Sequence, residues 1–206
     1  DFLRRSNVGM IATERSPRSS GNSNNLLLGL DANLFLYRDV TAIAYYARTQ
    51  TPGRQGGQAS YRGRFDYASD RYGLVAEHLL IDPQFNPEVG YARRTDFRRN
   101  FGQLRFSPRP KGSKYVRKYT WETTYEYLVT DTTGRLETRQ LAGRFLVERT
   151  NSDLISVVAA NHYEYLAKPF TVAKGVTVPV GGYPYADVTA RDRKSTRLNS
   201  SHVALS

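Results

Sequence analysis

Alternate residues of the stretch Asn25 to Tyr37, NLLLGLDANLFLY, fall into two unlike rows. Leu26, Leu28, Leu30, Ala32, Leu34 and Leu36 form an unbroken apolar row, whereas Leu27, Gly29, Asp31, Asn33, Phe35 and Tyr37 form a mixed, mostly polar one. A period of two is the signature of a strand with one greasy and one wet face. At about 3.3 Å per residue this strand reaches roughly 40 Å, enough to cross the hydrocarbon core of a bilayer at a tilt of about 45°. The alternation returns over Ser60 to Ala68, where Tyr61, Gly63, Phe65 and Tyr67 oppose Arg62, Arg64 and Asp66. It returns over Tyr72 to Ile81, with Tyr72, Leu74, Ala76, His78 and Leu80 against Gly73, Val75, Glu77 and Leu79. From Tyr115 to Leu128, Tyr119, Trp121, Thr123, Tyr125 and Tyr127 share one face, and Lys118, Thr120, Glu122, Thr124 and Glu126 the other.

Further strands are predicted over Phe2 to Thr13, Thr41 to Thr49, Arg98 to Ser107, Arg135 to Arg149 and Leu154 to Leu166, with a last one starting near Tyr185. Val89 to Arg94 is a short optional strand, and the slip in alternation at Gln140 to Ala142 suggests a bulge. The Ser-, Asn- and Gly-rich run RSPRSSGNSNN, the segment TPGRQGGQAS and the Pro-bearing stretches Asp82 to Phe97 and Ala167 to Pro184 read as loops. Longer and shorter connections tend to alternate, as in a membrane barrel with elaborate loops at one end and tight turns at the other. The fold class expected is all-β: an antiparallel up-and-down meander of about ten strands forming part of an outer-membrane β-barrel, as a fragment truncated at both ends. In a soluble sandwich the apolar faces would pack together, so alternation alone does not separate the two architectures.

Composition adds three constraints. Fifteen Tyr and nine Phe suit strands and membrane interfaces. The absence of Cys removes disulfides and thiolate metal sites. The formal charge of +11 brings no recognised nucleic-acid module with it. Its densest patch, Arg93, Arg94, Arg98 and Arg99, reads plainly as a solvated basic loop and more sharply as a contact with anionic headgroups or lipopolysaccharide phosphates. The segment DRKSTRLNSSH, Asp192 to His202, back-translates without a gap to a widely used sequencing-library adapter. Residues 192–206 are therefore expected to be a disordered artefact, leaving residues 1–191 as the barrel domain.

Several runs then carry a family resemblance: DFLRRSNVGMIAT at Asp1 to Thr13, LDANLFL at Leu30 to Leu36, YYARTQTPG at Tyr45 to Gly53, FDYASDRYGLVAEHLL at Phe65 to Leu80, FNPEVGYARRTDFRRNFGQLRFSPRP at Phe85 to Pro110 and VPVGGY at Val178 to Tyr183. Together they resemble the bacterial domain-of-unknown-function family 5916 over essentially all residues before the tail. The resemblance implies an outer-membrane-type barrel region that follows a family-9-like carbohydrate-binding domain. It also implies a location in the bacterial outer membrane, lipid and lipopolysaccharide as partners, and a glycan as candidate ligand. It brings no catalytic motif.

The chemistry available is sparse. No metal-ligand spacing, nucleophile elbow, phosphate loop or dinucleotide fingerprint occurs, so neither metal nor cofactor is expected. His162 and Glu164 share a face as ordinary strand polarity. The candidate binding residues are the polar, lumen-facing Asp31, Asn33, Arg62, Arg64, Asp66, Glu77, Lys118, Glu122 and Glu126. The function expected is a membrane anchor or passage linked to glycan binding or uptake. The alternative is a secreted all-β hydrolase using paired carboxylates such as Glu122 and Glu126.

Overall fold

The computed structural model describes residues 5–16 and 24–194. The beginning of the first predicted strand, part of the RSPRSSGNSNN run and the tail beyond Lys194 lie outside the described residues. Among the described residues there is no helix. The strands are β1 (Asn7–Arg15), β2 (Asn25–Tyr37), β3 (Val40–Gln50), β4 (Ala59–Ala68), β5 (Tyr72–Ile81), β6 (Phe97–Phe106), β7 (Val116–Thr130), β8 (Leu136–Arg149), β9 (Leu154–Leu166), β10 (Phe170–Ala173), β11 (Val176–Val178) and β12 (Gly181–Arg193). Ten of them form one antiparallel meander in the order β1-β2-β3-β4-β5-β6-β7-β8-β9-β12, with β10 and β11 as a separate hairpin. The sheet is open: β1 and β12 are its edges and do not pair with each other.

The register joins the alternating rows into two continuous faces. Met10 lies beside Leu30, Leu30 beside Tyr46, Tyr46 beside Tyr61 and Tyr61 beside Leu80. Farther on, Tyr72 lies beside Phe106, Phe106 beside Trp121, Trp121 beside Phe145 and Phe145 beside Val157. This outward face is largely uncovered, with Leu80 the buried member of these rows. Met10 is 81% exposed, Leu30 56%, Leu104 61% and Trp121 45%. Every substantial contact between strands joins hydrogen-bonded neighbours, so among the described residues no second layer packs on the sheet. The interior is correspondingly inverted. Among the described residues the most deeply buried side chains are Asn25, Thr49 and Ser107, all polar, and the buried apolar residues are Val75, Leu80, Phe85, Val129 and Ala160.

The outward apolar band runs obliquely across the hydrogen-bond rows. At the end carrying the long loops its polar border sits at Arg48 on β3, at His78 and Asn100 on β5 and β6, at Arg139 on β8 and at Asn161 on β9. The row through Asn161 meets β3 at Ala42, six residues from Arg48 and six strand steps away. At the opposite end the border slides the same way. It moves from Tyr67 on β4 to Ile155 on β9, four residues below the Ala159 that shares the Tyr67 row. About one residue of slip per strand, with a rise near 3.3 Å and a strand spacing near 4.8 Å, sets the strands about 30–35° from the band normal. Membrane barrels tilt by about 35–45°. From Val147 to Arg139 on β8 the band spans about 27 Å along the strand, or about 22 Å of height, close to the ≈ 25 Å apolar belt of such barrels.

The structure corrects several expectations. The predicted strand Phe2 to Thr13 is Asn7–Arg15, displaced toward the loop because its pairing with β2 continues to Arg15 opposite Asn25. The expected bulge at Gln140 to Ala142 is absent: those residues pair regularly with both neighbours, and the shifts on β7 lie between Val116 and Lys118 and between Leu128 and Val129. Val89 to Arg94 is not a strand, since the chain turns at Pro87, whose carbonyl accepts the Gly90 N–H at 2.9 Å. The loop expected over Ala167 to Pro184 holds the β10–β11 hairpin, turned at Gly175 with φ +81°, and the first residues of β12. Pro184 is tolerated in β12 because that strand is an edge. The ordered chain also passes Arg191. Asp192 and Arg193 still pair with Ile155 and Leu154, since ladder bonding is carried by the backbone whatever the side chain.

Candidate functional site

The inward face carries the charged residues, and its centre is Glu77. Arg64 stands directly opposite Glu77 on the neighbouring strand, while Arg62 and Arg99 reach it from diagonal positions opposite Leu79. Long side chains bridge such diagonals readily. Glu77 Oε2 accepts from Arg62 Nη2 at 2.6 Å and Arg64 Nη1 at 3.1 Å, and Glu77 Oε1 from Arg99 Nη1 at 3.0 Å. Arg64 also binds Asp66 at 3.0 Å, and Arg99 Nε binds Glu126 at 2.8 Å. The Glu77 side chain is 4% exposed. Three guanidinium groups and three carboxylates are thus tied into one neutral ladder across β4–β7.

Of the candidate residues, Arg62, Arg64, Asp66, Glu77 and Glu126 meet in this cluster. The other four do not. Asn33 donates to Asn7 at 2.9 Å near the β1 edge, and Asp31 lies against Gly9, where an added Cβ would stand 2.4 Å from its Oδ1. Lys118 faces Asp70 at 3.9 Å, and Glu122 has Arg144 at 4.0 Å. Arg99, grouped from sequence with the basic patch read as a solvated loop or a headgroup contact, instead turns inward, while Arg98 pairs with Asp131 at 2.9 Å and Arg94 with Glu137. Parity within the strand was the available signal: Arg99 shares the inward row with Phe97, Phe101 and Gln103. Glu122 and Glu126 lie four residues apart on one strand, roughly 13 Å.

Chain lies over part of each end of the inward face. At the turn end, Arg105 donates to the carbonyls of Ser69, Asp70 and Tyr72 and to Ser107 Oγ, and Ser107 Oγ lies 3.2 Å from Thr120 Oγ1. Arg109 grips Asp70 with two bonds of 3.0 and 2.8 Å, and that hydrogen bonding holds the Asp70 carboxyl down to about 2, so the clamp stays charged through neutral and mildly acidic pH.

At the long-loop end, residues 82–96 connect β5 and β6, strands about 4.8 Å apart, yet they reach back as far as β1, about 19 Å away. Asp82 Oδ2 accepts the Ala59 N–H at 2.7 Å, and the Gln84 N–H donates to Gly57 O at 3.1 Å. The Asn86 N–H donates to Thr49 Oγ1 at 3.1 Å, while the Asn86 carbonyl accepts from Asn25 Nδ2 at 2.9 Å. Glu88 then binds Arg15 at 2.8 Å. Asn25, Thr49 and Ser60 all point to the inward face and are 1–2% exposed; the strap bonds Asn25 and Thr49 directly and passes over the strand of Ser60 at the neighbouring Ala59. The chain has no native cysteine, which makes the strap directly testable. A single cysteine at Ser60→Cys is expected to resist maleimide in the folded protein and to react at least tenfold faster when Asp82→Ala and Asn86→Gly are added. Equal rates would show that the strap does not cover this surface.

No protein-family model, curated protein or solved structure shows significant similarity to the chain.

Proposed function

We propose that the chain is a membrane-embedded sheet of outer-membrane type, part of a barrel, with its apolar face against acyl chains and its Glu77 face in a hydrated interior. One observation carries this reading: the apolar face is continuous, exposed and bordered by a band that crosses the strands obliquely. A soluble protein rarely leaves a contiguous apolar patch of more than a few hundred Å² open to water. Interfacial aromatics fit the same arrangement. Tyr72, Phe106, Trp121 and Phe145 form a chain of ring contacts at 5.1–5.9 Å along the turn end, and tyrosines such as Tyr46, Tyr61 and Tyr127 stand near the other border. The free edges of β1 and β12 are where such a sheet would close, against each other or against further strands.

Within this reading the protein serves as an anchor rather than an open passage, because the strap crosses the inward face at the long-loop end of β1–β5 and the Arg105 cluster ties together the turn end of β5–β7. The link to glycans rests on the family resemblance and places any sugar recognition in an upstream carbohydrate-binding domain. The test is extraction and gel mobility of the full-length protein. It is expected to require detergent for extraction from envelope membranes and to change migration on heating. A protein that remains in the aqueous fraction without detergent would overturn the assignment.

A further inference from the structure

We infer that the outward rim of β5–β8 at the long-loop end binds the phosphate of an anionic membrane-lipid headgroup. The inference rests on the membrane reading above and names the partner of that surface. One row of cross-strand neighbours there, His78, Asn100, Tyr127 and Arg139, is polar, although it lies on the outward face. The next row toward the turn end is Ala76, Gly102, Tyr125 and Leu141, so the polar row marks where the apolar band stops on these four strands. His78 Nδ1 lies 2.7 Å from Asn100 Oδ1, which ties the first two members together. Arg139 is exposed and forms no ion pair with any described residue. Arg98, two residues from Asn100 on the same face, has its Nε 2.9 Å from Asp131 Oδ1 and a side chain that is 42% exposed.

The occupant follows from charge and depth. An unpaired guanidinium beside apolar rows is tolerated at the bilayer interface and costly at the midplane. At headgroup height the available counter-charge is lipid phosphate. A planar guanidinium grips phosphate with paired hydrogen bonds, and Tyr127, on the strand between those of Arg98 and Arg139, carries a further donor. Zwitterionic headgroups compensate their own phosphate, so a preference for net-anionic lipid is expected.

The test extracts the full chain from vesicles of equal phosphatidylcholine and phosphatidylglycerol and measures retained lipid by native mass spectrometry. The folded protein is expected to retain phosphatidylglycerol selectively. Arg139→Gln and Arg98→Gln are each expected to lower that retention by about fivefold, and Arg139→Lys to recover part of it. Equal retention of both lipids, or no loss in either glutamine variant, overturns the inference. Inorganic phosphate is added in a parallel arm: displacement of the lipid at low millimolar phosphate would assign the site to free phosphate and overturn the lipid assignment. Lipid protection of a Leu104→Cys label is read in the same samples. A protected label with no lipid preference removes the rim site alone, whereas an unprotected label removes the membrane reading and the rim site together.

Discussion

Leu104→Arg is expected to cost about 2–4 kcal/mol of folding free energy in lipid vesicles, whereas Leu28→Arg should cost about 0–1 kcal/mol. Both residues point outward and both are more than half exposed, so burial within the chain does not distinguish them. Their depth does. Leu104 lies beside Leu74 and Thr123, between the border at Asn100 and the aromatic row at Phe106, near the middle of the band. Leu28 is a cross-strand neighbour of Arg48, where the band already ends, and an arginine introduced there reaches headgroups with its stem lying on apolar surface. Urea unfolding of the reconstituted protein measures both values. Equal costs would contradict the oblique band, and negligible costs at both sites would remove lipid from the outward face altogether. In a sandwich core the order is also lost, because both leucines would pack against a second layer.

Most of the architecture was legible because a single physical rule, the period of two, acts along the whole chain. The runs Asn25–Tyr37, Tyr72–Ile81 and Leu154–Leu166 show their limits in sequence because polar turn residues bracket an unbroken alternation. The rule fails where side-chain parity is not what decides. Gln140 to Ala142 looks irregular only because small and polar residues fall on both rows, while the backbone pairing remains regular. Pro184 looks like a strand breaker, yet on an edge its missing N–H costs no ladder bond. The central cluster was half visible. Arg62, Arg64, Asp66, Glu77 and Glu126 stand on inward rows that alternation identifies, but only register brings Arg99 diagonally onto Glu77. The strap left no sequence signal. Its grip on Asn25, Thr49 and Ala59 uses backbone groups of residues 82–96 and one aspartate, and composition does not report backbone partners.

Glu77→Ala is the substitution with the largest expected effect on the interior, about 3–5 kcal/mol of lost stability. The carboxylate is almost wholly enclosed, and it is the one group that touches Arg62, Arg64 and Arg99 together. Removing it leaves three guanidinium groups converging on a space without counter-charge. Arg64 and Arg99 keep Asp66 and Glu126, but Arg62 loses its sole ion-pair partner among the described residues. Glu122→Ala provides the control. Its nearest cation, on Arg144, is 4.0 Å away and more than a third exposed, a geometry that contributes about 0–1 kcal/mol. Chemical denaturation of both variants, each checked for retained strand signal, reads the difference directly. A Glu77→Ala loss no larger than that of Glu122→Ala would mean that water already screens the ladder, and that the inward face is an open wet surface rather than a closed polar core.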